Sequence, residues 1–375
     1  VSTLKARGPL RSGMQPRDLS ATSPYVPGRG IEEVARDLGL DPADLIKLSS
    51  NENPHGSSPK AVEAVHQQAD DGLHVYPKAS HTDLTEKLAA KWGVADEQIW
   101  VSPGADGAID YLSRAMLEPG QSVLVPDPGF SYYRMSTRHH HGEVTEYELS
   151  KADGFEQTAD LVLDSYDGER IIHITSPHNP TGSEWTREEI RTLLDEVDDQ
   201  TLVVVDEAYG EYSERPSSID LLSEFDNLAV LRTFSKAYGL AGLRIGYAAV
   251  PESWADAYAR VNTPFAANEV ACRAALAALD DDDHIEQSVD SAQWAREYMQ
   301  EELDAPTFDS AANFVLADVG DASRVAEASQ RAGVIIRDCS SFGLPGCVRI
   351  SCGTREQTKT AVETLNEIVA EVTPT

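Results

Sequence analysis

The sequence predicts an α/β protein with a largely parallel sheet covered by helices, followed by a smaller α+β domain. From about residue 95, short apolar segments alternate with amphipathic helical segments, a pattern typical of parallel sheets. After about Asn262 this alternation gives way to two helical segments and then to further short strands. The 375 residues also exceed the roughly 250–300 residues at which a single hydrophobic core stops growing, so we expect two domains.

The first domain is predicted from a series of apolar strands with helices between them. Thr186 stands before one of these helices and Glu189 follows three residues later, which is the spacing of a helix-capping box. The predicted strands cover residues 99–101, 123–125, 171–174, 202–205, 229–232 and 245–250, and two of the helices cover residues 108–116 and 188–197.

The second domain is predicted from helical segments at 266–279 and 284–303, strands at 314–317, 334–336 and 348–351, and a helix at 322–330. The four aspartates at 280–283 are interpreted as a solvated helix junction. Residues 1–13 are basic, unlike the rest of the chain, so they are either a flexible arm or a segment ahead of a start at Met14. The expected division is a flexible extension (1–13), an N-terminal arm joining the small domain (14–45), a large domain (46–265) and a small C-terminal domain (266–375).

Acidic side chains outnumber basic ones by 63 to 31, which gives a formal net charge of −32. Binding to nucleic acid or to a membrane surface needs clustered Lys and Arg, so both function classes are disfavoured. High net charge also accompanies disorder, but 41% hydrophobic residues are enough to build a core. Only 9 of the basic residues are lysines. An acidic, lysine-poor surface favours a salt-loving organism over the alternative of an ordinary acidic cytosolic protein.

The sequence indicates no metal site, disulfide framework or membrane span. The four cysteines form no Cys-x-x-Cys pair, and the three histidines at 139–141 cannot share one helix face, so we interpret them as surface residues. No apolar stretch reaches the roughly 18 residues of a membrane span, and no signal peptide opens the chain. We therefore expect reduced cysteines and a cytoplasmic protein.

Polar groups follow several predicted strands, at the sheet edge where parallel sheets bind ligands. Asp206 ends a fully apolar strand, so its carboxylate needs a cationic partner. A rigid turn with two prolines presents Asn179, and Lys236 follows another strand beside the hydroxyl of Ser235. A glycine turn at 102–107 precedes a helix and suits a phosphate. These groups match the needs of pyridoxal phosphate, which requires an amine, a carboxylate for its ring nitrogen and phosphate donors.

Ordered motifs run through most of the chain: Ser50-Asn51-Glu52-Asn53-Pro54, Tyr76-Pro77, Gly104-Ala105-Asp106, residues 176–182, Asp206-Glu207-Ala208-Tyr209, Ser235-Lys236, residues 242–247, Asn313-Phe314 and Arg349-Ile350-Ser351. Together they resemble the motifs of the fold-type I aminotransferases and, within that superfamily, of the histidinol-phosphate aminotransferase family. The resemblance extends from about Leu19 to the C-terminus. It implies a homodimer whose large domain holds pyridoxal phosphate on a mostly parallel seven-stranded sheet.

The resemblance implies a role for each matching residue. Lys236 would be the catalytic residue, which holds the cofactor covalently and shuttles a proton, and Asp206 would pair with the ring nitrogen. The other implied cofactor contacts are Asn179 and Tyr209 at the ring oxygen, Phe130 on the ring face, and Ala105, Asp106, Thr233, Ser235, Arg244 and a partner-derived Tyr76 at the phosphate. The implied substrate-binding residues are Tyr25, Asn53, Arg337 and Arg349.

The implied reaction is the transamination of L-histidinol phosphate with 2-oxoglutarate, giving imidazole-acetol phosphate and L-glutamate, in histidine biosynthesis. Alternatives are an aromatic amino acid aminotransferase, a threonine-phosphate decarboxylase and, from another class, a ligand-sensing regulator with an aminotransferase-like domain. A regulator needs a DNA-binding module, for which the roughly 40 residues ahead of the motifs are too few. His55 and His178 stand where relatives commonly have Tyr and Asn, and we interpret both as neighbours of the site rather than catalytic bases.

The acidic composition predicts that salt stabilises the fold. At 1 M salt the Debye length falls to roughly 3 Å, so repulsion between surface carboxylates is screened. We expect the melting temperature, followed by circular dichroism, to rise between low and molar KCl. A melting temperature that stays constant or falls would contradict the halophilic interpretation.

Overall fold

The computed structural model describes residues 17–25, 28–78 and 81–372, so the extension predicted at 1–13 lies outside the described residues. The helices are α1 (Ile31–Leu38), α2 (Pro59–Asp71), α3 (Thr82–Trp92), α4 (Gly104–Met116), α5 (Ser131–His139), α6 (Ala159–Leu163), α7 (Arg187–Glu196), α8 (Tyr258–Val261), α9 (Glu269–Ala278), α10 (Asp282–Glu302), α11 (Ala322–Arg331) and α12 (Arg355–Val372). The strands are β1 (Ile46–Lys47), β2 (Ile99–Ser102), β3 (Ser122–Asp127), β4 (Glu143–Glu148), β5 (Ile171–Thr175), β6 (Leu202–Asp206), β7 (Leu228–Thr233), β8 (Gly246–Ala249), β9 (Phe314–Asp318), β10 (Val334–Ile335), β11 (Arg337–Asp338) and β12 (Cys347–Ser351).

A seven-stranded, mostly parallel sheet lies at the centre of the fold, which confirms the predicted α/β class. Its strand order is β2-β8-β7-β6-β5-β3-β4. Strands β3 to β7 run parallel, and β8 is antiparallel to both of its neighbours. In β6, Val203 and Val205 pack into the core on one face, while Leu202 and Val204 pack into the core on the other. Because both faces are covered, residues 202–205 of this strand are all apolar instead of alternating with polar residues.

The C-terminal part of the chain builds a separate antiparallel sheet in the order β11-β12-β9. Its core contains Phe314, Val348 and Leu365. The N-terminal segment contacts this part, because β1 pairs with β10 and Val34 of α1 packs in a small cluster with Ile335. The division into domains at residues 46 and 266 stays a prediction.

The structure contains elements that the sequence patterns did not indicate. Strand β4 was missed because half of its residues are glutamates, and it lies at the edge of the sheet, where one side of the strand is open. The predicted cap of α7 is present, since Thr186 Oγ1 accepts a hydrogen bond from Glu189 N at 3.1 Å. The Glu189 carboxylate instead accepts from Ala159 N at 2.6 Å, so it caps a second helix, α6.

The aspartate run at 280–283 is only partly solvated, which corrects the sequence interpretation. Asp281 is buried and accepts a hydrogen bond from Ser58 Oγ at 2.5 Å, and Asp280 pairs with Lys87. These contacts tie the start of α10 to helices α2 and α3. Within the described ranges, none of the helices combines the length and the apolar composition of a bilayer-spanning segment.

Gly239 lies at a close approach between two loops, and its substitution is expected to disrupt the fold locally. Its φ is +67°, and a Cβ atom there would lie 2.0 Å from the carbonyl oxygen of Gly56. Gly154 has nearly the same φ, +66°, but no atom lies within 4 Å of its Cβ position. We expect Gly154→Ala to lower the free energy of unfolding by only the cost of a left-handed backbone conformation, about 1–2 kcal/mol. Gly239→Ala should lower the free energy of unfolding by clearly more, as measured by urea unfolding at constant salt. Equal losses in the two variants would contradict a steric requirement for glycine at 239.

Candidate active site

A cavity of about 490 Å³ opens beyond the carboxyl ends of β5, β6 and β7. The N-terminal segment and the C-terminal sheet contribute to its walls. All the predicted site residues line this cavity except Tyr76 and Asn53. Its lining residues include Tyr25, Ser49, Ser50, Asn51, Ala105, Asp106, Phe130, Tyr132, Tyr133, Thr175, Asn179, Asp206, Tyr209, Thr233, Ser235, Lys236, Arg244, Arg337, Phe342 and Arg349.

Asp206 is the last residue of β6 and is buried in the cavity wall. Its carboxylate accepts hydrogen bonds from Tyr133 Oη at 2.6 Å and from Ala208 N at 2.9 Å. Both donors are neutral. Burial therefore raises the pKa of Asp206 to about 6, although the hydrogen bonds oppose the shift. A protonated ring nitrogen in the cavity would supply the cation that this carboxylate lacks.

Lys236 lies in the loop after β7, and its amine faces the cavity. Its Nζ atom is 3.4 Å from the carbonyl oxygen of Ser50 and 5.4 Å from the centre of the Tyr209 ring. Among the residues that the structure describes, Lys236 makes no ion pair with a carboxylate within 4.0 Å. An amine in this position is available for covalent chemistry with a carbonyl group.

The phosphate cradle predicted at the start of α4 is present. Ala105 and Asp106 lie in the first turn of that helix, where free backbone N–H groups attract anions. Arg244 donates to Asp106 Oδ2 at 2.9 Å and to Ser235 Oγ at 3.3 Å. Thr233 Oγ1 lies 3.0 Å from Ser235 Oγ. A helix start, two hydroxyls and a guanidinium thus converge on one end of the cavity.

Gly104 makes this convergence possible. A Cβ atom on Gly104 would lie 2.5 Å from Arg244 Nη2, and the residue has a φ of +78°. The backbone conformation therefore favours glycine, and a side chain here would displace the Arg244 guanidinium from the cradle. The sequence pattern Gly104-Ala105-Asp106 has this physical origin.

Asn179 and Tyr209 follow the carboxyl ends of the neighbouring strands β5 and β6 and face the same cavity. Asn179 Oδ1 accepts a hydrogen bond from Arg349 Nη1. Tyr209 Oη accepts a hydrogen bond from Asn51 Nδ2 at 2.9 Å. The amide of Asn179 and the hydroxyl of Tyr209 are therefore both held by neighbours and remain able to donate to a ligand oxygen.

Arg337 and Arg349 are directly opposite each other on β11 and β12. Like charges in this register repel, so the pair favours a bound anion between or beside the two guanidinium groups. Burial lowers the pKa of Arg337, and the nearby Arg349 lowers it further. The guanidinium carbons of Arg337 and Arg349 lie 5.4 Å and 5.8 Å from the ring centre of Phe342.

Tyr25 lies next to the arginines, at the mouth of the cavity. Its ring meets Phe130 edge-on at a centroid distance of 6.3 Å. Burial raises the pKa of the Tyr25 hydroxyl, while the positive charges of Arg337 and Arg349 oppose the shift. The hydroxyl is thus a neutral donor beside an anion-binding pair.

Tyr76 and Asn53 lie away from this cavity. Tyr76 is 78% exposed and stacks on Phe265 at 4.7 Å. Asn53 points into the main chain around Lys236, where its Nδ2 atom donates to the carbonyl oxygen of Ala237 at 2.8 Å. In this chain, the neighbouring Asn51 lines the cavity instead.

Tyr133 is a site residue that the sequence analysis missed. Besides donating to Asp206, its ring stacks on His173 at 4.5 Å with an interplanar angle of 11°. The sequence offered only the pair Tyr132-Tyr133 after Phe130, and nothing in that run distinguishes the two tyrosines. Their places on α5 do, because Tyr133 is fully buried and Tyr132 is only partly buried.

The two histidines set aside in the sequence analysis are neutral neighbours of the site. His178 is buried in the turn before Asn179, where Nδ1 lies 2.8 Å from Thr181 Oγ1 and burial lowers its pKa to about 3. Burial also lowers the pKa of His55, and the nearby His284 adds to the shift. Neither histidine lines the cavity.

The cavity fits pyridoxal phosphate by its own chemistry. Asp206 is a buried carboxylate without a cationic partner among the described residues, Lys236 is a facing amine, and the start of α4 with Arg244 forms an anion cradle. The model of the aminotransferase class I and II family matches residues 43–365. The chain belongs to this family.

Curated relatives and a solved structure narrow the likeness further. This aminotransferase is 70% identical to the histidinol-phosphate aminotransferase of Haloferax volcanii over 96% of this chain and 99% of the relative. It is 67% identical to the enzyme of the same name from Haloarcula marismortui, over 96% of this chain and 99% of that one. The structure of histidinol-phosphate aminotransferase from Sinorhizobium meliloti in complex with pyridoxal-5'-phosphate matches with a TM-score of 0.87 and 26% identity, covering 96% of this chain and 100% of that one.

These likenesses confirm the predicted superfamily, fold and cofactor of the aminotransferase. The high identity to proteins of halophilic archaea also agrees with the halophilic interpretation of its composition. The roles of individual residues stay predictions, and the geometry described above supports them where the residues meet in the cavity.

The raised pKa of Asp206 predicts a pH-dependent stability of the cofactor-free aminotransferase. Its pKa is about 6 in the folded protein and about 3.9 in an unfolded chain, so the folded state prefers the protonated acid. The stability that this group contributes is present below about pH 4 and is lost as the pH rises through about 6. The side chain of Asp206→Asn stays neutral at every pH. We therefore expect the free energy of unfolding of this variant at pH 8 to exceed that of the wild type by up to about 3 kcal/mol. At pH 4 the two proteins should unfold at similar urea concentrations.

A matched control is needed because removing any acidic charge reduces repulsion in this protein. Asp153 is exposed, and Asp153→Asn removes the same charge from the surface. An equal gain in the free energy of unfolding of both variants at pH 8 would contradict a specific cost of burying the ionised Asp206 carboxylate.

Proposed function

We propose that this aminotransferase catalyses the transamination of L-histidinol phosphate with 2-oxoglutarate, giving imidazole-acetol phosphate and L-glutamate. In the biosynthetic direction, glutamate gives up its amino group and the keto phosphate receives it. The observation that carries the proposal is the opposed pair Arg337 and Arg349 beside the amine of Lys236 in one cavity. The identity of up to 70% to histidinol-phosphate aminotransferases supports the same substrate pair.

The arginine pair suits two substrates that carry different anions. A guanidinium group presents its donors as a planar fork, which binds the oxygens of a carboxylate or of a phosphate equally well. Glutamate and histidinol phosphate can therefore take turns at Arg337 and Arg349. Tyr25 can donate to the same anion from the mouth of the cavity, and Phe342 supports both guanidinium groups from the side.

Pyridoxal phosphate, when bound, supplies the electron sink that stabilises the negative charge left at the substrate carbon. We assign its ring nitrogen to Asp206, whose carboxylate stays ionised beside a cation and keeps that nitrogen protonated. Asn179 and Tyr209 donate to the ring oxygen, and Phe130 covers the ring face. Ala105, Asp106, Thr233, Ser235 and Arg244 form the phosphate end.

Lys236 carries out the proton transfer in this proposal. Its Nζ atom would hold the cofactor covalently until the substrate amine displaces it, and the freed lysine amine would then take the proton from the amino-bearing carbon of the substrate. The same amine would deliver that proton to the cofactor carbon that the lysine had held. A base that both binds and moves the proton must be held within hydrogen-bond reach of its target, so the loop that carries Lys236 has to be rigid.

The surface around Tyr76 supports the proposal of a homodimer. Leu73 and Val75 are each 68% exposed, and Phe265 is 41% exposed beside Tyr76. A contiguous apolar surface of this kind is typical of an interface. We propose that a second copy covers it and that Tyr76 completes the phosphate end of the partner's cavity. We also propose a cytoplasmic location, which is supported by four buried cysteines that form no disulfide.

A half-reaction assay tests the substrate. The loaded protein is mixed separately with L-histidinol phosphate, phenylalanine and threonine phosphate, and the cofactor spectrum and CO₂ release are followed. We expect fast conversion with histidinol phosphate, because it offers both the amine and the phosphate that the arginine pair binds. Phenylalanine lacks the side-chain anion and should react more slowly.

Other outcomes identify the alternative functions. Faster conversion with phenylalanine would indicate an aromatic amino acid aminotransferase, and CO₂ release from threonine phosphate would indicate a decarboxylase. Lys236→Ala serves as the control, because it should abolish both turnover and the visible absorbance of the lysine-bound cofactor. Retention of both would refute the assignment of Lys236.

A further inference from the structure

The side chain of Asn53 is fully occupied by contacts inside the protein. Its Nδ2 atom donates to the carbonyl oxygen of Ala237 and to Ser288 Oγ, each at 2.8 Å. Its Oδ1 atom accepts a hydrogen bond from His55 N at 2.9 Å. An amide nitrogen carries only two hydrogens, and both are used here. Asn53 therefore has no donor left for a substrate, contrary to the role expected from the resemblance.

These contacts end at the loop that carries the catalytic amine. Ala237 directly follows Lys236, so the hydrogen bond from Asn53 fixes the Ala237–Tyr238 peptide group, one residue beyond that lysine. Ser57 donates to the carbonyl oxygen of Gly239 at 2.7 Å and fixes the same loop two residues further on. We call Asn53 and Ser57 the lysine clamp.

The clamp has little freedom to move. Gly239 lies so close to the backbone of Gly56 that a Cβ atom would not fit between them. On the other side, Ser288 on α10 holds the amide of Asn53, and Ser288 Oγ itself donates to the carbonyl oxygen of His284 at 2.7 Å. Asn53 thus connects the loop that carries Lys236 to α10, a helix of the C-terminal part of the chain.

We propose that Asn53 is a positioning residue, which acts on the reaction by fixing the main chain beside Lys236. The proposal rests on the function proposed above, in which the Lys236 amine binds the cofactor and moves a proton. An amine misplaced by about 1 Å can slow such a step by roughly 100-fold. Because substrates contact other residues, loss of the clamp should lower kcat and leave KM nearly unchanged.

The test is Asn53→Ala, with a readout that does not depend on turnover. In the loaded protein without substrate, the visible absorbance is titrated with pH, which reports the protonation of the nitrogen that joins Lys236 to the cofactor. We expect its pKa to shift by about 0.5 unit or more, because the lysine is held differently. In the cofactor-free protein, the amides of Gly239 and Leu240 should exchange hydrogen faster, since their bonds to Lys236 and Phe234 lie within the clamped loop.

Steady-state kinetics separate positioning from substrate binding. We expect kcat to fall between about tenfold and 100-fold, equally for glutamate and histidinol phosphate, with both KM values changed by less than about twofold. A raised KM for histidinol phosphate with an unchanged absorbance titration would mark Asn53 as a substrate contact and overturn the proposal.

Asn366→Ala is the matched control. Asn366 Nδ2 also donates to a backbone carbonyl, that of Glu302 at 2.7 Å, and its Oδ1 accepts from Asp304 N at 2.8 Å, but neither partner belongs to the loop that carries Lys236. The same chemical change there should lower stability without moving the absorbance titration. An equal shift in both variants would show a general structural effect and contradict the proposal.

Ser57→Ala keeps the test decisive where Asn53→Ala fails to fold. It removes only the hydrogen bond to Gly239, and we expect a shift in the same direction and faster exchange of the same amides. An unchanged titration and unchanged exchange would overturn the clamp. A wild-type protein that shows no visible band with pyridoxal phosphate would instead refute the proposed function.

Discussion

The burial of the Asp206 carboxylate is the constraint on which the rest of the site depends. A carboxylate at the end of a strand covered on both faces is poorly solvated, and its described partners are the neutral donors Tyr133 and Ala208. Its ionised form is costly until a cation lies in the cavity. The protein therefore carries an unfavourable group that becomes favourable on loading. The amine, the anion cradle and the aromatic wall line the same cavity, where the proposed cofactor would supply that cation.

Asn51 connects the parts of the chain that form the cavity. Its Nδ2 atom donates to Tyr209 Oη after β6, while its backbone N–H donates to Ser351 Oγ at 2.9 Å at the end of β12. Its carbonyl oxygen accepts from Asn313 Nδ2 at 3.0 Å. The residue has a φ of +55°, a conformation that asparagine tolerates better than most residues. One small amide thus aligns the strand ends of the parallel sheet with the sheet that carries the arginines.

The sequence predicted the parallel sheet and the polar strand ends well, because β5, β6 and β7 are mostly apolar and each ends in or is followed by distinctive polar residues. It predicted less where the position of a residue in the fold, and not its neighbours in sequence, determines its burial or its contacts. Strand β4 was missed because an edge strand tolerates charged residues, and Tyr133 was missed because its place on α5, not its neighbours in sequence, buries it. The motif Ser50–Pro54 was recognised, but only the loop geometry shows that Asn51 lines the cavity while Asn53 turns toward Ala237.

Chloride competes for the opposed arginines, whereas it does not bind to the acidic surface. A brine that screens repulsion between surface carboxylates also brings molar chloride to every cationic pocket. As the proposed substrate-binding pair, Arg337 and Arg349 would have to select a polyatomic anion against a halide in great excess. Two planar forks on adjacent strands offer directed pairs of donors, which match the spaced oxygens of a carboxylate or phosphate but not a single spherical ion. Recognition by the arrangement of donors would therefore let the protein bind its substrate anions in preference to chloride, which recognition by charge alone would not achieve.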